Sequence, residues 1–271
     1  MSLIIEGVPE HFNYPITQWV AGNSGHRFVE VPEGTGKMLE DLSSGKCDMA
    51  IALTEGSLRA MASNEELVCL GAYVSSSLEW GIHVGAQSSF EKCEELAKAR
   101  VAISRFNSGS HLMVKVWADQ MGWSADDFEY VVVNTLQGAL EAFEKGEVDV
   151  FLWERFTTHP YVASGQLKRL DSVSTPWPCF AMMTTKTVLA EKEQELAEAV
   201  SGFRGTILQC VTNQEKLMNS IADQYRLDKS LVEQWYAKLM WMGMVKWEKV
   251  IASLQHFDLV PEDFNFQLQK M

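Results

Sequence analysis

Side chains able to bind a small molecule occur in this sequence where apolar runs end. Thr54 and Glu55 follow the run MAIAL, and Trp153 and Glu154 lie at the end of the run that starts at Val150. A tryptophan ring can stack on a ligand, and a carboxylate accepts hydrogen bonds from a cationic or donor group. The alternative is that both glutamates are solvated loop residues and that Trp153 belongs to the core.

The segment SRFNSGSH, residues 104–111, has the composition of an anion-binding loop. Serine, asparagine and glycine between a strand and a helix expose backbone N–H groups at the positive end of the helix dipole. Ser108 or Ser110 could equally serve only as the N-cap of that helix. We expect His111 to start the helix rather than to contact a ligand.

The same reasoning selects residues that follow each predicted strand, because ligands in open α/β sheets bind at the carboxyl ends of strands. Tyr14 precedes Pro15 and is therefore held in an extended conformation. Trp177, between two prolines, either lines a site or fills a corner of the core. The candidate ligand-binding residues are Asn13, Tyr14, Thr54, Glu55, Ser76, Ser77, Ser104, Asn107, Ser108, Gly109, Ser110, Gln137, Trp153 and Glu154.

Several apparent catalytic or metal motifs do not meet their requirements. GTGKM lacks the first glycine and the final Ser or Thr of a phosphate-binding loop, because Val31 and Met38 occupy those positions. The six histidines are far apart and form no metal-ligand spacing. We therefore expect no catalytic residues, no metal and no cofactor.

The amino-acid composition of the chain argues against some classes of partner. A net charge of −13, with scattered Lys and Arg, argues against nucleic acid. No apolar stretch is long enough for a membrane span. The five cysteines form no CxxC pair, and the first residues do not resemble a signal peptide. These features favour the cytoplasm, with the periplasm as the alternative if a signal has been removed.

A repeated segment organises the chain. LEDLSSGKCDMA (39–50) and LEAFEKGEVDVF (140–151) share Leu-Glu, then Gly, then Asp at matching positions. Each predicts a helix that ends at glycine and is followed by a buried strand. Strand and helix patterns alternate over the chain, including a strand at LVCLGAYV (67–74) and a helix over residues 91–99, and from Val188 onward the pattern is almost wholly helical. The alternation predicts an α/β fold of two similar lobes, with mostly parallel sheets flanked by helices.

The order of these segments resembles the type II periplasmic binding proteins. The segments that carry the resemblance are the early NYP, the helix from Gly36 to SGKCDMAI, the serines after AYV, VAISRFNSGSH, GALEAFEKGEVDVFLWE and SGQLKRL (164–170). Within that family the chain is similar to the nitrate-, sulfonate- and taurine-binding components of ABC importers and to the thiamine-pyrimidine-precursor group.

The resemblance implies two lobes joined by a hinge that close around a small anionic or zwitterionic ligand. We expect lobe 1 to comprise residues 1–83 and 184–271 and lobe 2 residues 84–183, with the crossings near 81–85 and 180–185. An ABC permease is the implied partner. Two alternatives remain: an enzyme of the thiamine-pyrimidine-synthase type, although its cysteine cluster is missing here, and a cytosolic ligand sensor.

Overall fold

The computed structural model describes residues 2–269 and 271, and these fall into two compact units. Unit 1 contains the residues up to Ser77 and those from Pro176 onward, and unit 2 runs from Leu78 to Thr175. Each unit is an α/β layer structure with its own sheet. The predicted α/β fold is confirmed.

Unit 1 is built on one five-stranded sheet in the order β2-β1-β3-β10-β4. Its strands are β1 (Ile4–Gly7), β2 (Arg27–Glu30), β3 (Met49–Leu53), β4 (Leu67–Val74) and β10 (Phe180–Thr185). β1 pairs in parallel with β2 and β3, whereas β10 pairs antiparallel with β3 and β4. The sheet is therefore mixed, and apolar β1 and β3 are almost fully buried.

Helices cover the sheet of unit 1. They are α1 (Tyr14–Gly22), α2 (Thr35–Ser43), α3 (Thr54–Met61), α7 (Lys186–Thr212), α8 (Gln214–Tyr225), α9 (Lys229–Tyr236) and α10 (Trp247–His256). The predicted helical pattern after Val188 is confirmed by α7 to α10.

Unit 2 repeats this arrangement with the sheet order β7-β6-β8-β5-β9. Its strands are β5 (Glu79–Gly85), β6 (Arg100–Ile103), β7 (Glu129–Val132), β8 (Val150–Glu154) and β9 (Leu167–Ser174). Its helices are α4 (Gly109–Met121), α5 (Leu136–Glu144) and α6 (His159–Ala163). β6 pairs in parallel with both of its neighbours, β7 and β8, as β1 does with its neighbours in unit 1. β5 pairs antiparallel with both of its neighbours, β8 and β9, as β10 does in unit 1.

The division into units differs from the predicted lobe boundaries. The chain leaves unit 1 after Ser77 and returns at Pro176. The predicted crossings, 81–85 and 180–185, instead lie inside β5 and β10. Each of these strands is hydrogen-bonded on both sides within one sheet, so neither can serve as a crossing.

One predicted helix is also corrected. Residues 91–99 form only a short 3-10 helix, Cys93–Leu96, followed by Lys98 with a φ of 65°. A left-handed residue cannot continue an α-helix. The segment is a connection into β6 and not a layer of the fold.

Candidate functional site

The loop after β6 is held by three buried serines. Ser110 Oγ accepts a hydrogen bond from Ser104 N at 2.9 Å and lies 3.0 Å from Ser108 Oγ and 3.2 Å from Ser104 Oγ. Each of the three is at most 8% exposed. Ser108 also caps α4, because its Oγ accepts from His111 N at 3.3 Å. The capping interpretation of Ser108 is thus confirmed, and the network makes the loop rigid.

The same loop leaves two backbone donors at the start of α4. No hydrogen bond in the described part of the chain occupies the N–H of Gly109 or Ser110. The first N–H groups of any helix lack intrahelical partners and carry the positive end of its dipole. α4 has 13 residues, long enough for that dipole to develop. The arrangement suits a small anion.

Asn107 and His111 shape the outer side of this loop. Asn107 has a φ of 62°, a left-handed conformation that asparagine tolerates better than most residues. Its N–H donates to His111 Nδ1 at 3.0 Å, so the imidazole closes the loop. His111 is therefore a helix-start residue, as expected, and Asn107 is exposed beside it.

Trp80 is a residue of this region that the sequence reasoning missed. A Cβ added to Gly109 would lie 3.1 Å from the Trp80 ring, so glycine is needed for the close approach of β5 to α4. Trp80 is 8% exposed, its Nε1 has no hydrogen-bond partner, and its ring meets that of Trp153 edge-on at 6.3 Å. In the sequence, only its position directly before the apolar run GIHV could have marked Trp80 as a candidate residue.

Trp153 and Glu154 are placed at the end of β8, next to the end of β6. Trp153 stacks on Phe151 with ring centroids 5.2 Å apart and packs partly buried against the core. The Glu154 carboxylate accepts from Phe156 N at 3.0 Å and from Thr157 N at 2.7 Å. Glu154 thus organises the following turn, although burial raises its pKa.

Gln137 lies in the first turn of α5 and is exposed. Its Nε2 donates to Glu141 Oε1 at 3.3 Å, a helical i,i+4 contact. The N-cap of this helix is Thr135. The structure therefore gives Gln137 a surface contact on its own helix.

In unit 1, two predicted residues carry buried oxygen atoms without partners. Asn13 is 1% exposed, and its Nδ2 donates to Val8 O at 2.7 Å while its Oδ1 has no partner. Thr54 is fully buried at the end of β3, and its Oγ1 likewise has none. A buried polar atom without a hydrogen bond is costly. Both residues follow adjacent parallel strands, β1 and β3, so these oxygens lie toward one edge of the sheet.

The carboxyl group of Glu55 has a strongly raised pKa. Trp177 Nε1 donates to Glu55 Oε2 at 2.9 Å, and burial raises the pKa of Glu55 to about 7. Trp177 is 2% exposed and meets Phe257 edge-on at 6.0 Å. Of the two interpretations of Trp177, the structure supports the buried corner, with the added role of holding Glu55.

Ser76 and Ser77 differ in their surroundings. Ser76 Oγ accepts from Met240 N at 3.1 Å, so it anchors the segment that precedes α10. Ser77 is exposed at the last position of unit 1 before the chain enters unit 2. The structure gives Ser76 a structural contact and Ser77 none.

Tyr14 has a φ of −48° and a ψ of −46°, so the predicted extended conformation is wrong, and the residue begins α1. Tyr14 lines a cavity of about 180 Å³. The other walls come from α7 and α8, including Cys210 and Lys216. Tyr14 therefore belongs to a helical part of unit 1, and the structure does not place its ring with Asn13 and Thr54.

Among residues 2–269 and 271, no group of three or more His, Cys, Asp or Glu is arranged to hold a metal ion. No helix in this part of the chain has the length and apolar character needed to cross a membrane.

Comparison with known proteins adds a family match over unit 2. Residues 80–173 match a family model described as Ca3427-like PBP. This segment contains the serine loop, α4 and both tryptophans of the region described above. No functionally curated protein matches the chain in sequence.

Solved structures are similar over the whole chain. The Candida albicans CA3427 gene product, described as defining a new family with the generic periplasmic binding protein fold, is 23% identical with a TM-score of 0.87. That match covers 100% of this chain and 97% of the other.

The sulfonate-binding proteins named SsuA are also similar. The Escherichia coli protein, which binds aliphatic sulphonates, has a TM-score of 0.75 at 17% identity, covering 95% of this chain and 91% of its own. The Xanthomonas axonopodis pv. citri protein, bound to MOPS, has a TM-score of 0.76 at 16% identity, covering 100% and 98%. The predicted resemblance to type II periplasmic binding proteins is confirmed, and the chain has their fold.

Proposed function

We propose that this chain is a solute-binding protein for a small organic anion, whose head group is a sulfonate or a phosphonate. The observation that carries the proposal is the pair of unoccupied N–H groups of Gly109 and Ser110 at the start of α4. Fold alone does not determine ligand. The proposal therefore rests on this site, with the similar proteins as support.

The ligands of the similar proteins support the choice of a sulfonate or phosphonate head group. Two of them bind sulfonates, and the Prochlorococcus marinus protein PhnD1 was solved with methylphosphonate at a TM-score of 0.64 and 9% identity. Sulfonate and phosphonate are both tetrahedral, with three oxygens on one atom. Such a group can accept from two adjacent N–H donors while its remaining oxygen contacts other donors.

Unit 1 also contains buried polar side chains. Among the described residues, Asn13 Oδ1 and Thr54 Oγ1 are buried without partners, and the Glu55 carboxyl lies beside Thr54 in sequence. An amide oxygen accepts hydrogen bonds, whereas a hydroxyl both accepts and donates them. Trp153, half-buried at the end of β8, is proposed to contact the apolar part of the organic anion.

We propose a periplasmic setting. The similar proteins include the periplasmic aliphatic sulphonate-binding protein of Escherichia coli and a putative sulfonate ABC transporter, periplasmic sulfonate-binding protein of Methylobacillus flagellatus. This favours the periplasm over the cytoplasm, for which the comparisons give no support. It also makes an ABC permease the proposed partner. No observation favours the thiamine-pyrimidine enzyme or the cytosolic sensor.

A double substitution tests the role of the loop. Ser108→Ala with Ser110→Ala removes the hydroxyls that hold the loop and keeps the backbone N–H groups, which lose their orientation. We expect the Kd for MOPS or methylphosphonate, measured by calorimetry, to rise about tenfold or more, equivalent to about 1.4 kcal/mol.

Ser124→Ala is the matched control. Ser124 also caps a helix in unit 2, with its Oγ accepting from Asp126 N at the same 3.3 Å distance. It should lower stability without changing the Kd. If the double variant bound the anion as the wild type does, the serine loop would be a helix cap only and the proposal would fail.

A further inference from the structure

A separate cavity of about 690 Å³ lies in unit 1, along the middle of the edge strand β4. Its floor is formed by Leu70, Gly71 and Ala72, and its walls come from α7, α10 and the segments on either side of α10. None of the candidate residues discussed above lines it. Its volume is within the range of small-molecule pockets, about 300–1,000 Å³.

Backbone hydrogen bonds from other segments cover the free edge of β4 at both ends but not in the middle, where the cavity lies. At one end Met242 N donates to Tyr73 O at 2.8 Å. At the other, Cys69 N donates to Gln267 O and Gln269 N to Cys69 O, each at 2.9 Å. Between them lies Gly71, with a φ of 130°, where the nearest atom to an added Cβ would be the Met182 methyl at 3.8 Å. A larger residue here would begin to fill the cavity.

The lining is mostly apolar and adaptable. Four methionines contribute, Met182, Met242, Met244 and Met271, and Met244 is 96% exposed at the rim. Trp247 and Phe266 form one wall, with ring centroids 4.9 Å apart. Flexible methionine side chains adjust to ligands of different shape, and a half-exposed aromatic wall gains from being covered.

Among the described residues that line the cavity, one carries a positive charge. Arg204, on α7, is exposed, and its Nη2 donates to Met271 O at 2.9 Å. The guanidinium has five N–H donors, so it can donate to a further oxygen atom in addition to this one. Glu248 has the only acidic side chain among the described lining residues. It would repel an anion at its own position and so favours the Arg204 side for a negatively charged head group.

We propose that this cavity binds a linear aliphatic carboxylate, with its chain along the methionines and the aromatic wall and its head group at Arg204. Burying the chain stabilises the complex in proportion to the number of methylenes removed from water. A medium-length chain therefore gives enough to offset the cost of association. The ligand class differs from the sulfonates and phosphonates proposed for the serine loop, and the two sites bind independently.

Dodecanoate and dodecanol are the probes for the experiment. Protein labelled with ¹³C at the methionine methyl groups is titrated with each, and the signals are assigned with single Met→Leu variants. We expect saturable shifts of the Met182, Met242 and Met244 methyls with dodecanoate. Arg204→Gln should weaken dodecanoate binding about tenfold, the effect of one charge-assisted hydrogen bond, while leaving dodecanol binding unchanged.

Met244→Asp, at an exposed position, should weaken both ligands, and Arg27→Gln, an exposed arginine of β2, should change neither. Absence of a saturable shift at these methyls in the folded wild-type protein would overturn the proposal. Equal dodecanoate binding by the wild type and Arg204→Gln would overturn the assignment of the carboxylate. Neither outcome affects binding of MOPS or methylphosphonate, so a failure here is distinct from a failure at the serine loop.

Discussion

Glu55 is a carboxyl group whose surroundings change its chemistry. It starts α3, its Oε2 accepts from Trp177 Nε1, and burial raises its pKa to about 7. The folded state therefore holds a proton on Glu55 over a pH range in which the unfolded chain has released it. Stability contributed by that proton is present at low pH and is lost as the pH rises from about 4.5 to 7.

Glu55→Gln should remove this dependence, because glutamine keeps an oxygen for Trp177 and has no proton to lose. Between pH 4.5 and pH 7, we expect the free energy of unfolding of the variant to increase relative to that of the wild type by on the order of 2–3 kcal/mol. Urea unfolding at a series of pH values measures it.

Glu65→Gln, at an exposed position on the turn after α3, controls for loss of a surface carboxylate. Its profile should run parallel to that of the wild type. Should the Glu55→Gln profile also stay parallel to that of the wild type, the carboxyl is not held protonated, and the burial argument for Glu55 is wrong.

Individual residues could be predicted where a local rule decides their role. Ser108 as an N-cap and His111 as a helix-start residue follow from short-range backbone geometry. Trp80 against Gly109 and Trp177 against Glu55 could not be predicted, because each contact joins residues distant in sequence. The buried oxygens of Asn13 and Thr54 are likewise visible only in the folded chain.

At the scale of elements, the repeated segment has a structural role in both units. Gly45 and Gly146 have φ values of 74° and 67° and close α2 and α5. The aspartates that follow have matching contacts, since Asp48 Oδ2 accepts from Ile4 N at 2.8 Å and Asp149 Oδ2 from Arg100 N at 2.9 Å. These bonds tie neighbouring strands at their amino ends, the opposite edge from the candidate ligand residues.

Each aspartate is also paired with a cation of its own unit. Lys192 Nζ lies 2.7 Å from Asp48 Oδ1, and Arg100 Nη2 lies 2.7 Å from Asp149 Oδ1. The Arg100 guanidinium lowers the pKa of Asp149. The repeat therefore fixes strand register in two sheets, which is why it recurs without marking the ligand site directly.

Gly146→Ala tests the left-handed requirement. An added Cβ meets nothing within 4 Å, so the cost is confined to the backbone and should be about 1–2 kcal/mol of unfolding free energy. Chemical denaturation of the two proteins measures the difference.

Gly205→Ala is the matched control, because Gly205 lies inside α7, has no positive φ, and its added Cβ is equally free of contacts. Alanine should stabilise that helix by about 0.5–1 kcal/mol. Opposite signs for the two variants support the conformational argument, whereas a neutral or stabilising Gly146→Ala would refute it.

Most elements could be predicted from periodicity and from residues that end helices. The predicted strands 67–74 and MAIAL coincide with β4 and β3. The segment 91–99 was mistaken for a helix, because its charge pattern suits one while Lys98 adopts a left-handed conformation. The crossings were misplaced because a glycine-containing strand such as β5 does not show in sequence which sheet it joins.

At the scale of the whole molecule, the two sheets share one strand order. In each sheet a βαβαβ run forms the parallel half. The antiparallel half is added by two further strands, which are β10 and β4 in unit 1 and β5 and β9 in unit 2. The alternation of strand and helix patterns was enough to predict this class of fold. It did not predict the ligand, because the groups that surround the N–H donors of Gly109 and Ser110 come together only in the folded chain.

The central claim is that the chain binds a small organic anion through its negative head group. Calorimetric titration of the wild-type protein with methanesulfonate and methylphosphonate, each compared with neutral dimethyl sulfone, tests this directly. The account predicts a saturable site for at least one of the anions, with the sulfone at least about tenfold weaker, since a charge-assisted bond is worth about 1.5–3 kcal/mol. Equal binding of the sulfone, or no binding of either anion, would contradict it.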